Sequence, residues 1–246
     1  MHGLSLIVSE ASRIVVFSGA GISTESGIDD FRGPQGVWKR HQPVYFDEFL
    51  ADPDKRREHW KYKRQSWEQF KDAKPNAGHR AVLKWHEQGK LRGVITQNID
   101  GLHEAAGLPR EVLVELHGTN LHVECVGKDG QGCGWEMPAR PYFESLGPRD
   151  DWDPCAQCGG WIKPSTVSFG QSLPPMAMQQ SERWCRECDL LIVLGSSLEV
   201  SPANHYPKLA KQQGAKLVII NREPTPLDTL ADLVIHAGIG ETLAGL

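Results

Sequence analysis

Short apolar runs of strand length recur along the chain, and helical patterns separate several of them. The runs are Arg13–Phe17, Val94–Thr96, Val112–Leu116, Thr166–Phe169, Leu190–Leu194, Leu217–Ile220 and Leu233–Ile235. Their apolar residues are continuous rather than alternating, which is typical of parallel strands that are buried on both faces. Strands that alternate with helices predict an α/β fold with a doubly wound, mostly parallel, Rossmann-like sheet.

Two of the helical patterns have recognisable ends. Asn76 is the predicted N-cap of one helix, and Gly89 is its predicted stop. The other helix is expected to begin with Ser201 as its cap and Pro202 in its first turn, and to end at Gly214.

Two segments interrupt this alternation of strands and helices. Residues 34–74 are rich in tryptophan and charged residues and are predicted to be helical, whereas residues 121–163 hold four cysteines and many glycines but no good helix. We expect the two segments to form one small module inserted into the sheet domain. The sheet domain then comprises residues 1–33, 75–120 and 164–246.

Charge and hydropathy narrow the class of protein. The net charge of −4 argues against a sequence-independent nucleic-acid binder, because such proteins usually carry an excess of basic residues. No apolar run reaches the roughly 18 residues that a membrane helix needs. The N-terminal residues show neither the basic region nor the long apolar region of a secretory signal. We therefore expect a cytoplasmic protein with neither a membrane nor a nucleic acid as its partner.

The six cysteines fall into three close pairs, Cys125 with Cys133, Cys155 with Cys158, and Cys185 with Cys188. In a chain without a secretory signal, close pairs are read as metal ligands before disulfides. The spacing of Cys155 and Cys158 is typical of half a zinc ribbon. The third pair has the same spacing, but it lies where a predicted helix runs into a buried strand. We predict one zinc on Cys125, Cys133, Cys155 and Cys158. Its role is expected to be structural, because four thiolates leave no open position for chemistry.

The first apolar run ends in the glycine-rich stretch "GAGISTESGIDDFRG", residues Gly19–Gly33. A strand that ends in such a turn at a helix start is a typical pyrophosphate site, because free backbone N–H groups and the helix dipole favour an anion. Gly19 and Gly21 supply the first two glycines of the dinucleotide fingerprint, but Thr24 stands at the third position. By itself the stretch fits a nucleotide site and a simple tight turn equally well.

Four further polar segments lie at or just past the ends of predicted strands. They are "TQNIDGLHEAAG" (Thr96–Gly107), "ELHGT" (Glu115–Thr119), "GSSLEVSP" (Gly195–Pro202) and "INRE" (Ile220–Glu223). Ligands of open α/β sheets bind outside the carboxyl ends of the strands, so the five segments are expected to meet at one cleft. In this order they resemble the sirtuins, the family of NAD-dependent protein-lysine deacylases, from about Arg13 to the C-terminus.

The resemblance implies NAD as the cofactor. The implied NAD-binding residues are Gly19, Ala20, Gly21, Ser23, Phe31, Arg32, Gln97, Asn98, Ile99, Asp100, Gly195, Ser196, Ser197, Asn221, Arg222 and Glu223. Asp100 would accept a hydrogen bond from the nicotinamide amide; an ordinary helix N-cap is the structural alternative for this residue. For Phe31 and Arg32 the structural alternatives are a core aromatic and a surface ion pair.

The resemblance also implies the chemistry. His117 would be the general base on an NAD ribose hydroxyl, and Asn98 would position ribose and water. Val167 and Phe169 would line the tunnel for the acylated lysine of a protein substrate. The acyl group would pass to ADP-ribose as nicotinamide leaves. A mono-ADP-ribosyltransferase in the same cleft, and a deacylase for long-chain or other acyl groups, are the alternatives.

Two positions depart from the sirtuin pattern. Asp29 stands where the family usually has proline, so we expect a looser cofactor loop and weaker NAD binding. Desuccinylating sirtuins carry a Tyr and an Arg that here correspond to Trp60 and Lys63. No strong preference for succinyl groups is therefore expected.

Overall fold

A six-stranded parallel sheet forms the centre of the structure. The structure is a computed structural model and describes residues 2–33, 36–146 and 152–244. In chain order the strands are β1 (Ile14–Ser18), β2 (Leu91–Thr96), β3 (Leu113–Glu115), β4 (Gly118–Gly127), β5 (Glu136–Pro138), β6 (Trp161–Thr166), β7 (Leu190–Leu194), β8 (Lys216–Ile220) and β9 (Leu233–Ile235). The central sheet has the order β3-β2-β1-β7-β8-β9. Chain order reverses between β1 and β7, and this switch point is where such sheets bind ligands.

Helices cover both faces of this sheet. In chain order they are α1 (His2–Glu10), α2 (Phe46–Ala51), α3 (Pro53–Phe70), α4 (Ala77–Glu87), α5 (Leu102–Ala105), α6 (Ala139–Leu146), α7 (Pro175–Glu187), α8 (His205–Gln212) and α9 (Ile239–Leu243). Side chains of α1, α4 and α9 pack in one apolar cluster with Ile14 and Val16 of β1, and side chains of α7 and α8 pack in another with Val15 and Phe17. The predicted doubly wound, Rossmann-like fold is confirmed.

A second sheet, antiparallel with the order β5-β4-β6, packs with α2, α3 and α6 around a separate apolar cluster. That cluster includes Phe49, Trp60 and Trp67 from the first inserted segment and Tyr142 and Phe143 from the second. The predicted boundaries at residues 120 and 163 fall inside β4 and β6. The division into a sheet domain and a module stays a prediction, and parts of it lie outside the described residues.

The helix predicted from Asn76 is present as α4. The Asn76 side chain accepts a hydrogen bond from the Gly78 backbone N–H at 2.9 Å, and Gly89, just past the helix, has a φ of +70° that favours glycine. The cap residue is therefore correctly identified from the sequence.

Three local predictions are wrong. Residues 121–163 do contain a helix, α6, whose buried residues Ala139, Tyr142, Phe143 and Leu146 have helical spacing that the cysteines and glycines around them obscured. The helix expected from Ser201 begins only at His205, because the intervening residues form turns. The strand expected at Thr166–Phe169 is shifted towards the N-terminus and ends at Thr166, after which the chain turns towards Gly170.

None of the helices in the described part of the chain combines the length and the apolar character of a membrane span.

Candidate functional site

A cavity of about 1280 Å³ opens at the carboxyl ends of the central strands, on the side where the small module packs. Loops that follow β1, β2, β7 and β8 line it, together with residues of α3 and the segment after β6. The cavity therefore lies at the carboxyl ends of the strands, as the sequence predicts, and the strand order places the topological switch point between β1 and β7 there.

The glycine loop after β1 and the loop after β7 meet backbone to backbone. Gly19 donates its N–H to Leu194 at 3.0 Å, and Gly21 donates to the carbonyl of Gly195 at 2.8 Å. A Cβ atom on Gly19 would lie 2.7 Å from the Gly195 oxygen, and a Cβ on Gly21 would lie 2.7 Å from the Gly195 Cα. Glycine at both positions therefore permits the close packing of these two loops, and both glycines line the cavity. The expected helix start is a 3₁₀ helix, Ala20–Ser26.

Polar side chains after β2 and β7 connect across the switch point. Gln97 donates from Nε2 to the Ser196 hydroxyl at 2.8 Å. Asn98 donates from Nδ2 to Ser23 Oγ at 3.1 Å, and Ser23 in turn donates to Asp100 Oδ2 at 2.7 Å. The second Asp100 oxygen accepts from the Leu102 N–H at 2.9 Å, so Asp100 also holds the start of α5. Burial raises the pKa of Asp100.

His117 follows β3 and lines the cavity. Its Nδ1 atom lies 3.1 Å from the Gln97 carbonyl oxygen. A carbonyl only accepts hydrogen bonds, so this contact assigns the proton of the neutral ring to Nδ1 and leaves the Nε2 lone pair free. Burial lowers the pKa of His117 below its ordinary 6.5. At neutral pH the ring is therefore uncharged and able to accept a proton.

The cofactor loop, which we define as residues 27–33, lies over the cavity. Phe31 stacks on Trp38 with ring centroids 5.2 Å apart, and Trp38 meets Phe169 edge-on at 5.8 Å. Arg32 Nε lies 3.3 Å from a carboxylate oxygen of Glu199. Arg32 thus makes the ion pair of its structural alternative, whereas Phe31 is only partly buried and is not a core aromatic; both side chains line the cavity.

The cavity lining brings together nearly all of the site residues expected from the sequence. It includes Gly19, Ala20, Gly21, Phe31, Arg32, Gln97, Asn98, Ile99, His117, Val167, Phe169, Gly195, Ser196, Ser197, Asn221, Arg222 and Glu223. Ser23 and Asp100 are buried behind Asn98 instead, where they hold its side chain. Their contact with a ligand stays a prediction.

Several lining residues come from the module, and of these the sequence pointed only to Lys63. Trp38 and Tyr62 lie close together, with ring centroids 6.2 Å apart. Lys63 is buried beside them, and its Nζ donates to Thr166 Oγ1 at 3.1 Å. Burial lowers the pKa of Lys63 to about 7. Trp60, in contrast, points into the module core, where it packs against Tyr142 and Phe143.

The four predicted zinc ligands form one cluster. All four sulfur atoms lie within 4.8 Å of one another. The Cys125 and Cys158 sulfurs are 3.5 Å apart, and those of Cys133 and Cys155 are 3.6 Å apart. Tetrahedral zinc, with each sulfur at about 2.3 Å, requires sulfur–sulfur distances of about 3.8 Å. The cysteines fit a structural zinc, and the backbone N–H of Gly127 already points to the Cys125 sulfur.

The rival cysteine pair has the structural role expected from its position. Cys185 lies in α7 and Cys188 just after it, and both are buried in the apolar cluster that covers the central sheet. Burial raises the pKa of both thiols, that of Cys188 to about 12. Neither sulfur belongs to the cluster of four.

Comparisons with known proteins agree with this geometry. The model of the Sir2 family matches residues 19–202. The NAD-dependent protein deacetylase of Rhodopseudomonas palustris is 48% identical over 240 residues, covering 96% of this chain and 92% of that protein. The NAD-dependent protein deacetylase 1 of Bradyrhizobium diazoefficiens is 46% identical over 237 residues, covering 96% and 91%.

Solved structures match over the same extent. A Sir2 structure with deacetylated p53 peptide and 3′-O-acetyl ADP ribose has a TM-score of 0.90 at 34% identity, covering 99% of this chain and 96% of that one. A Sir2 complex with p53 peptide and NAD⁺ has a TM-score of 0.87 at 34% identity, covering 100% and 96%.

Proposed function

The chain belongs to the Sir2 family, and from that premise we propose that it is an NAD-dependent protein-lysine deacylase of the deacetylase type. The reaction would consume NAD, an acylated lysine and water, and would give nicotinamide, free lysine and acylated ADP-ribose. The observation that carries this proposal is the placement of His117. The His117 ring keeps its Nε2 lone pair free and lines the same cavity as Gly19 and Gly21 of the glycine-rich loop.

The residues of the cavity fit NAD. The glycine loop at Gly19 and Gly21 would hold the pyrophosphate, and the loop of Asn221, which also lines the cavity, would hold the adenosine. When bound, NAD supplies the ADP-ribose that accepts the acyl group and the nicotinamide that leaves. The Asp100 carboxylate accepts the hydrogen bond of the Ser23 hydroxyl, so the Ser23 oxygen must accept from the NH₂ group of Asn98. These two hydrogen bonds fix the orientation of the Asn98 amide.

His117 performs the proton transfer in this proposal. Its Nε2 takes the proton of a ribose hydroxyl, and the Nδ1 hydrogen bond to the Gln97 carbonyl holds the ring and stabilises the charge that develops on it. Val167 lines the cavity next to His117, and its backbone N–H donates to the His117 carbonyl at 2.8 Å. This bond connects the segment proposed to bind the acyl-lysine directly to the base.

A mono-ADP-ribosyltransferase is the second candidate, because it would use the same NAD cavity with a different nucleophile. The relatives support the deacylase, because those at 48% and 46% identity are named NAD-dependent protein deacetylases.

The acyl preference is tested by nicotinamide release with peptides that carry acetyl, succinyl or long-chain acyl lysine. We expect nicotinamide release to be fastest with the acetyl-lysine peptide. The succinyl-lysine peptide should not support faster release than the acetyl-lysine peptide. Lys63 is only partly charged near neutral pH, since burial lowers its pKa to about 7, and so attracts a carboxylate weakly. Equal release without any peptide would contradict a deacylase, and faster release with succinyl-lysine would contradict the acetyl preference.

Acylated lysines of protein substrates are the proposed partners, as the peptide complexes of the solved relatives suggest. A cytoplasmic location and the lack of a nucleic-acid partner stay predictions.

A further inference from the structure

The Asp29 side chain fastens the cofactor loop to the small module. Its Oδ2 atom accepts a hydrogen bond from Arg40 Nη2 at 2.7 Å and lies 3.4 Å from Gln69 Nε2. Arg40 follows the short 3₁₀ turn Val37–Lys39, and Gln69 lies in the last turn of α3. The sequence led us to expect a loosening effect of Asp29, but the described contacts are those of an anchor.

Backbone hydrogen bonds run beside this anchor. The Val37 N–H donates to the Asp30 carbonyl at 2.9 Å, and the Trp38 N–H donates to the Phe31 carbonyl at 3.1 Å. The Asp30 side chain accepts from the Gly33 N–H at 2.8 Å, which closes a tight turn within the loop. The loop thus folds back on residues 36–40, and the Asp29–Arg40 ion pair lies at the base of that fold.

The two adjacent acids of the loop face different surroundings. Asp30 lines the cavity together with Phe31 and Arg32, whereas Asp29 is outside the lining in the described part of the chain. The hydrogen bond from Arg40 holds the pKa of the Asp29 carboxyl below its ordinary value, so this group is charged at neutral pH. Arg40 compensates that charge locally, which weakens its repulsion of a bound pyrophosphate.

A second ion pair holds the other end of the loop. Arg32 contacts Glu199, which follows β7 on the central sheet. The loop is therefore anchored to the module through Asp29 and to the sheet through Arg32. The two anchors thus join the loop to two different parts of the structure.

We propose that the Asp29–Arg40 ion pair is a positioning contact that holds the cofactor loop over the NAD cavity and so sets the affinity for NAD. This inference rests on the proposed function, because it takes the cavity as the NAD site. Asp29 and Arg40 act through the loop and touch no reacting atom. The ion pair takes over the restraint for which a proline at position 29 would otherwise serve.

A charge-swap cycle tests the proposal. Asp29→Arg, Arg40→Asp and the double variant are compared with the unchanged protein for the Kd of NAD and of ADP-ribose, measured by calorimetry. Each single variant is expected to bind about fivefold more weakly, which is near the upper limit for a partly exposed ion pair. The double variant is expected to recover to within about twofold. In such a cycle the long-range effect of each charge on the phosphates cancels.

Kinetic constants provide the second readout. The KM for NAD should follow the Kd through the cycle, while kcat should stay nearly constant, because the ion pair positions the loop and takes no part in chemistry. Lys216→Glu is the matched control. It changes the net charge as Arg40→Asp does and breaks an ion pair with Glu10 at the same level of exposure, away from the cavity. This control should leave the Kd of NAD unchanged.

The outcomes separate this inference from the proposed function. If the unchanged protein binds neither NAD nor ADP-ribose, the proposed function itself is wrong. If it binds both, the positioning role is overturned by a double variant that binds no better than the worse single variant, or by single variants that bind like the unchanged protein. Thermal unfolding of every variant confirms that the comparison is made between folded proteins.

Discussion

Replacing His117 with alanine is expected to lower kcat/KM for an acetyl-lysine peptide by about 10²–10⁴-fold, the usual contribution of a general base. The Kd of NAD should change little, because the ring contributes a proton acceptor rather than a contact to the phosphates. Steady-state nicotinamide release measures the first effect, and calorimetry measures the second.

The dependence of activity on pH provides a second test of His117 as the general base. The neutral ring is the active form, and burial lowers the pKa of His117 below 6.5. Activity should therefore be constant from pH 8 down to about neutrality and fall only when the pH drops through the lowered pKa. His205→Ala is the matched control, because His205 is an exposed histidine at the start of α8. An unchanged rate in the His117 variant, or an equal loss in the His205 variant, would show that the base is misassigned.

Replacing Cys155 with serine is expected to release the zinc and to unfold the small module. Structural zinc contributes about 10–16 kcal/mol of binding free energy in zinc-finger peptides at neutral pH, so the loss of one thiolate removes a large part of the module's stability. Cys125 and Cys155 are also part of the module's apolar cluster. Atomic absorption should show a fall from one zinc per chain, and thermal unfolding should begin at a lower temperature.

Activity should fall with the zinc, although the metal takes no part in the chemistry. Tyr62 and Lys63 of the module line one side of the cavity, and this wall depends on the packing that the zinc site supports. The double variant Cys185→Ser, Cys188→Ser is the control: it destabilises the central domain but should keep its zinc. Loss of zinc from this control with retention in Cys155→Ser would refute the ligand assignment.

The sequence predicted the cavity well because strand ends are easy to locate. Continuous apolar runs such as Leu190–Leu194 specify buried parallel strands, and the polar residues that follow them must then meet at one edge of the sheet. Helix α4 could also be predicted from the sequence, because Asn76 is a typical N-cap residue. These inferences need only local patterns and the rules of sheet topology.

The rest depends on contacts between distant parts of the chain. Ser23 and Asp100 lie 77 positions apart, and their hydrogen bond, which buries both behind Asn98, leaves no periodic trace in the sequence. Asp29 and Arg40 are only 11 positions apart, but their ion pair leaves no periodic trace either. The sequence by itself predicts a looser loop and weaker NAD binding, and the ion pair is the basis of the opposite proposal.

The central claim is that NAD is consumed to remove an acyl group from lysine, and product stoichiometry tests it most directly. Purified protein would be incubated with NAD and an acetyl-lysine peptide, and the products would be quantified by mass spectrometry. We predict equal amounts of nicotinamide, free-lysine peptide and acetylated ADP-ribose. Release of nicotinamide with ADP-ribose attached to protein, and with the acetyl-lysine peptide unchanged, would contradict the account.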